Sequence, residues 1–170
     1  MAVSVSAGIK IYIGPAVDVE AIKALSYSAA LDAFEAVSSG DWDEIGEVET
    51  IDRIGDTTDT ATFTSLSDRR ARTFKTTKSG GVVTVTCGLD PLDDGQEAMQ
   101  AAQGTDFNYR FKIEYNDARD EEHSISTDYW AGQVMSRDKT IGSVTDISKI
   151  AFTISNNSGL YEDPTDPTGS

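Results

Sequence analysis

Phe107-Asn108-Tyr109-Arg110-Phe111-Lys112-Ile113-Glu114-Tyr115 decides how the rest of the chain is read. Phe107, Tyr109, Phe111, Ile113 and Tyr115 alternate with Asn108, Arg110, Lys112 and Glu114. A repeat of two puts the first set on one face of a strand and the second on the other. Nine residues of unbroken alternation predict a strand central to a β-rich fold.

Similar signals lie on both sides of it. Ile9, Ile11 and Ile13 share one face of a strand over residues 4–14, with Lys10 and Tyr12 opposite, and Gly14-Pro15 is expected to end it. Ala61 and Phe63 alternate with Thr60, Thr62 and Thr64 over residues 60–66, and residues 72–76 repeat the pattern around Phe74. Lys78-Ser79-Gly80-Gly81 reads as a turn. Val83, Val85 and Cys87 then line one face of a strand over 82–87. Two further strands flank Gly132, over 124–131 and 133–140. A last one over 146–155 keeps Ile150, Phe152 and Ile154 in register.

One helix is clear. Asp94 is expected as its N-cap, Glu97 completes a capping box three residues on, and Gly104 stops it after Gln103. A shorter amphipathic helix over 29–37, with Leu31, Phe34 and Val37 at i, i+3 and i+6, sits inside a long connection spanning residues 16–41. Residues 156–170 contain two Asp-Pro pairs and read as a flexible acidic tail. The expectation is one mainly β domain over residues 1–155: a β-sandwich or barrel of about eight strands with one flanking α-helix and long loops.

Charge narrows the function. The 170 residues hold 14 Lys and Arg against 29 Asp and Glu, a net of −15. A nucleic-acid reader needs a basic footprint, and docking on an anionic bilayer needs the same. Both are disfavoured. A single Cys, Cys87, excludes an internal disulfide and suits a reducing compartment. The N-terminal residues carry no basic segment followed by a long apolar run, so no leader is expected. The protein is expected to be soluble and made in the cytoplasm.

Catalytic and metal motifs are weak. Asp93-Asp94-Gly95 lacks the ligand spacing of a calcium loop and reads as a helix cap. Asp117, Asp120, Glu121 and Glu122 read as a charged turn. His123 has no accompanying nucleophile motif, and Cys87 lies on an apolar strand face. No dinucleotide fingerprint or phosphate loop occurs. No enzyme, cofactor or metal is therefore expected.

Charge segregation is the strongest physical signal. Residues 41–59 hold eight acids against Arg53, whereas residues 68–78 hold Arg69, Arg70, Arg72, Lys75 and Lys78 against Asp68. The two segments either fold together as one salt-bridged hairpin or meet head to tail between subunits. A head-to-tail contact builds rings or filaments. Glu47 and Glu49, spaced to share one side of a strand, imitate a catalytic pair but fit an acidic solvated face better.

The order of these pieces resembles a known family. The acidic stretch runs Trp42-Asp-Glu-Ile-Gly-Glu-Val-Glu-Thr-Ile-Asp-Arg-Ile-Gly-Asp56 and is followed by Phe63-Thr-Ser-Leu66 and Asp68-Arg-Arg-Ala-Arg-Thr-Phe-Lys75. After a Gly-Gly turn come the helix Asp94-Gly-Gln-Glu-Ala-Met-Gln-Ala-Ala-Gln103, the strand 107–115 and Trp130-Ala-Gly-Gln-Val-Met-Ser-Arg137. Over residues 42–155 this is similar to the major tail tube proteins of long, non-contractile-tailed bacteriophages and their prophage and gene-transfer-agent relatives. The resemblance implies a structural virion protein made in the bacterial host cytoplasm. It implies hexameric rings stacked into a hollow tube, alongside tape-measure, terminator and distal-tail proteins, with DNA passing through and not specifically bound. On that basis Arg69, Arg70, Arg72, Lys75 and Lys78 are expected on a projecting inter-ring hairpin. Glu47 and Glu49 are expected at an acidic lumen or seam. A sister ring protein of the same virion fits the pattern too. The alternative from another class is a monomeric sandwich binding a carbohydrate or cell-surface ligand, with Trp42, Trp130 and six Tyr as a stacking platform.

Overall fold

The computed structural model describes residues 6–118 and 121–164. Every strand pairing in it is antiparallel. The first sheet has the order β11-β8-β7-β1-β2, with β1 Lys10–Ala16, β2 Asp43–Glu44, β7 Tyr109–Glu114, β8 Thr127–Gly132 and β11 Tyr161–Asp163. The second has the order β3-β6-β10-β9, with β3 Val48–Ile51, β6 Val82–Gly88, β9 Val134–Thr140 and β10 Lys149–Ser155. A separate two-stranded ribbon is formed by β4 Thr57–Thr64 and β5 Ala71–Ser79. The helices are α1 Val19–Lys23, α2 Tyr27–Glu35 and α3 Asp94–Gln103.

The alternating strands build the main core between the two sheets. Ile11, Ile13, Phe111, Ile113 and Trp130 come from the first sheet, and Val83, Val85, Cys87, Ile150, Phe152 and Ile154 from the second. Phe111 stacks on its cross-strand partner Trp130 at 5.3 Å between ring centroids. Residue 107 lies outside the strand and is exposed, so the alternation overran the real strand at its N-terminal end. The outer face of the first sheet is not wet either. Helices α1 and α2 cover it, and Val19, Ile22, Ala30, Phe34, Trp42, Tyr129, Ala131 and Tyr161 form a second core there. Strand β8 is therefore buried on both faces along its whole length. The outer face of the second sheet carries Thr84, Thr86, Ala151 and Thr153, each half-buried, and α3 lies beside the sheet's edge strand β9.

Several expectations change. Strand β1 does not stop at Gly14-Pro15; it runs through them to Ala16 with an irregular step in its pairing to β7. Gly14 has the Trp42 ring directly over it, where a Cβ would collide, and the irregularity accommodates Pro15. Among the described residues eleven strands replace about eight: the acidic stretch read as one strand divides into β2 and β3, and β11, of three residues, is too short for a periodic signal. The 16–41 connection holds two helices, each capped by a side chain: Asp18 accepts from Glu20 N and Ser26 from Ala29 N. The segment read as a tail from 156 onward re-enters the fold, because β11 pairs with β8 and buries Tyr161. The remainder of that tail, 165–170, lies outside the described residues.

The N-cap of α3 is Asp93, not Asp94. Its carboxylate accepts from Gln96 N at 2.8 Å and from Gly46 N at 3.1 Å. The residue at the capping-box position is thus Gln96. Its side chain turns inward instead of back to the cap. It is fully buried, donates to the carbonyls of Gly88 (2.8 Å) and Gly46 (3.3 Å), and accepts from Asp90 N. One amide thereby ties the loop between β2 and β3 to the end of β6. Replacing it as Gln96→Leu keeps the volume but leaves three part-buried backbone groups without this partner, a loss of about 3 kcal/mol. Urea unfolding at neutral pH measures this, and a loss below about 1 kcal/mol would remove the amide from that role.

Candidate assembly surfaces

Arg69, Arg70, Arg72, Lys75 and Lys78 all lie on the hairpin formed by β4, β5 and the turn between them. Nearly every residue of β4 and β5 is exposed. The ribbon holds all five of Arg69, Arg70, Arg72, Lys75 and Lys78 against Asp59 and Asp68, a net of +3 that leaves −18 for the rest of the chain. Its cations are not neutralised by the acidic run that precedes it. Within the ribbon Arg72 pairs with Asp68, at 2.7 Å. Local bonds build the tip. Asp68 accepts from Arg70 N, Arg69 N donates to Ser65 O, the Ser65 and Ser67 hydroxyls bond, and Arg69 takes φ 51°. The expected Lys78–Gly81 turn contracts to Gly80-Gly81, since Lys78 and Ser79 belong to β5, and Gly81 supplies a φ of 64°.

Cross-strand register sorts the hairpin into two faces. Ala61 with Phe74 and Phe63 with Arg72 share one; Thr60 with Lys75 and Thr62 with Thr73 share the other. Phe63 is 62% exposed, Phe74 53% and Leu66, in the tip, fully exposed. The sequence pattern placed Phe63 and Phe74 on strand faces, yet both are more than half exposed, as is Leu66.

Glu47 and Glu49 are both exposed, though not as a pair on one strand face. Glu47 precedes β3, has φ 55° and accepts from Gly88 N through its carbonyl. Glu49 lies in β3 and pairs with Lys149 at 2.7 Å. They sit at the end of the second sheet opposite the hairpin's root. Strand β3 begins there, β6 ends there and β10 starts there, whereas the hairpin enters and leaves where β3 ends and β6 begins.

The same geometry places the residues of the other readings. Trp130 is fully buried, and Trp42 lies under Lys112, whose Nζ is 5.0 Å from its ring and 4.5 Å from that of Tyr12. Neither Trp offers a stacking platform. Cys87 is fully buried, and burial pushes its thiol up to about 12, so it is no nucleophile at neutral pH. His123 forms an isolated bridge residue. Among the described residues no cluster of three or more His, Cys, Asp or Glu is placed to hold a metal ion; Asp120 lies outside them.

One acidic feature went unnoticed in the sequence. Strand β11 lays Glu162 directly opposite Asp128, a like-charge pair across the strands. Asp128 is buried and accepts from the Tyr115 hydroxyl at 2.6 Å, while Asp117 nearby is held by Ser126. The signal was the pairing of β11, which three residues cannot announce.

Comparison with known proteins agrees with the fold. A family model described as phage tail tube protein, TTP, matches residues 15–117, more than half of the chain. No curated protein matches by sequence. Among solved structures, the chain is similar to the SPP1 tail tube determined by solid-state NMR and cryo-EM, with TM-score 0.65 and 13% identity over 95% of this chain and 80% of that one. It is similar to the sheath/tube terminator of an extracellular contractile injection system, with TM-score 0.65 and 10% identity over 96% and 98%. A chain of a native gene transfer agent virion gives TM-score 0.58 and 11% identity over 95% and 99%.

The Asp128 contact predicts a pH effect. Burial raises its pKa; the Tyr115 hydrogen bond opposes this, and Glu162 and Asp117 push it up further. A carboxyl raised in the folded state binds protons more tightly there than in the unfolded chain. Its contribution is therefore greatest at low pH and is lost as pH rises from the unfolded value, about 3.9, through the folded one. Asp128→Asn keeps an acceptor for Tyr115 and removes the charge. The variant is expected to melt at or above the parent's temperature at pH 7, with the difference vanishing below about pH 4. A lower melting temperature at pH 7 would contradict this.

Proposed function

Because the chain belongs to the phage tail tube protein family, we propose that it is the repeating subunit of a hollow tail tube. It closes into hexameric rings, the rings stack, and DNA passes through the bore. The observation that carries the reading is a cationic hairpin standing free of an otherwise acidic body. A monomer gains little from such a ribbon, whereas a head-to-tail assembly uses it at every step. The neighbours in structure support this, because one is a tail tube and another a chain of a gene transfer agent virion.

Electrostatics supports the conduit. Duplex DNA carries about one negative charge per 1.7 Å of axis. A wall that offered it Lys and Arg would hold it. The proposed bore is lined by the threonine-bearing outer face of the second sheet, where Lys149 is paired with Glu49, with Glu47 and Glu49 at its rim or at the seam between rings. The protein then resides in the virion tail, is assembled in the host cytoplasm, and meets the tape-measure, terminator and distal-tail proteins at the ends of the tube. The family is structural, and this role needs no catalytic step.

Negative-stain microscopy across a concentration series, paired with light scattering, tests the proposal. Six-fold rings or hollow tubes are expected. A particle that stays monomeric at every concentration, with and without the other tail proteins, would overturn it. Within tubes, the double variant Arg70→Glu, Lys75→Glu is expected to abolish stacking while the circular dichroism and melting temperature of the subunit stay unchanged. Exposed pairs contribute about 0–1 kcal/mol each, so the effect depends on repetition around the ring. Tubes indistinguishable from the parent's would remove the hairpin from assembly.

A further inference from the structure

We propose that the loop between β9 and β10, residues 141–148, together with Leu92, is the seat that receives the hairpin tip of a second copy of this chain. This rests on the tube reading and deepens it by naming the receiving surface.

The two surfaces lie at opposite ends of the subunit. The hairpin is rooted where β6 begins. The 141–148 loop and the loop carrying Leu92 lie where β6 ends, joined by the bond from Leu89 N to Ser148 O. Val144 is fully exposed, Leu92 91%, Ile147 75% and Ile141 69%. Four large apolar side chains held in water at one pole match Phe63, Leu66 and Phe74 held in water at the other. A contact between opposite poles repeats without closing on itself, which is what stacking requires.

Both partners are prearranged. In the loop, Gly142 takes φ 67°, and the Asp146 carboxylate accepts from Ser143 N and Oγ, both at 2.8 Å. Asp146 N donates back to Ser143 O. In the hairpin, Asp68 and the Ser65–Ser67 pair fix the tip. Little ordering of the tip and of the receiving loop themselves remains to oppose association. Charge selects a second copy as the occupant. Glu47, Glu49, Asp90, Asp94 and Asp146 surround the receiving pole against Lys139 and Lys149, facing a hairpin of net +3.

Cross-linking tests the contact. Leu66→Cys and Val144→Cys are made in separate chains, and buried Cys87 stays as it is. The two are assembled together and oxidised. A disulfide-linked dimer is expected in the mixture and in neither variant alone, and a chain carrying both substitutions is expected to give a ladder. Val144→Asp with Ile147→Asp is expected to raise the concentration needed for assembly by about tenfold or more, and Val144→Ile to leave it unchanged. Parent-like tubes without the 66–144 bond would overturn this contact and leave the tube reading standing. Absence of any assembly in the parent would overturn both. Retention of a 30-base-pair DNA duplex by the parent, lost in Arg70→Glu, Lys75→Glu, with no 66–144 bond, would give the hairpin to nucleic acid instead.

Discussion

The two sheets are held in one relation by the N-terminal turn of α3. Gln96 and Asp93 reach across to the loop between β2 and β3 and to the end of β6, and so connect an edge of the first sheet to the middle of the second. The approach is close: Gly95 lies against the Glu44 carbonyl, where no side chain fits. A sandwich core of Ile, Val and Phe is non-directional and tolerates sliding of one sheet over the other. The buried amide is directional. It fixes where β3 starts, hence where Glu47 and Glu49 emerge and where the hairpin is rooted at the other end of the same strands. Assembly surfaces at two poles need that registry before they can meet.

The charge distribution separates stability from assembly. A subunit with its cations folded onto its acids would be self-satisfied and indifferent to neighbours. Here the ribbon keeps five cations apart from a body of net −18. Exposed pairs are individually weak and contribute more to approach and register than to affinity. The apolar residues beside them, Phe63, Leu66 and Phe74, supply the burial that charge does not.

The sequence spoke clearly wherever a periodic signal was long. Residues 109–114, 82–88 and 149–155 became central strands, and the helix at 94–103 lies where its composition placed it. Alternation over residues 60–66 and 72–76 marked the two strands of the ribbon, and charge counting marked its cations. The failures have physical causes. A strand of three residues carries no period, so β11 was invisible, and the acidic stretch read as one strand is split at residues 45–47 into β2 and β3. The sequence suggested Asp94 as the cap because Glu97 completed a standard box, but the real N3 residue, Gln96, is committed to tertiary bonds. The spacing of Glu47 and Glu49 implied a shared face, which the left-handed turn at Glu47 breaks. No local pattern distinguishes an apolar strand face that packs from one that waits for a partner, so Phe63 and Phe74 read like core residues.

That last ambiguity bears on how the hairpin itself is held. A lone two-stranded ribbon is marginal in water, because half of its edge bonds and both its faces meet solvent. This one has local supports at both ends: Asp68 and the serines at the tip, and Thr57 Oγ1 donating to Ser79 O at the root. Between them lie threonine and aromatic positions of high strand propensity that are exposed among the described residues. In the proposed tube, burial against a neighbour would add the stability that the middle of the ribbon lacks alone. Folding of the hairpin's middle and stacking of the subunits would then be one coupled equilibrium, driven by the phenylalanines that the free ribbon leaves in water.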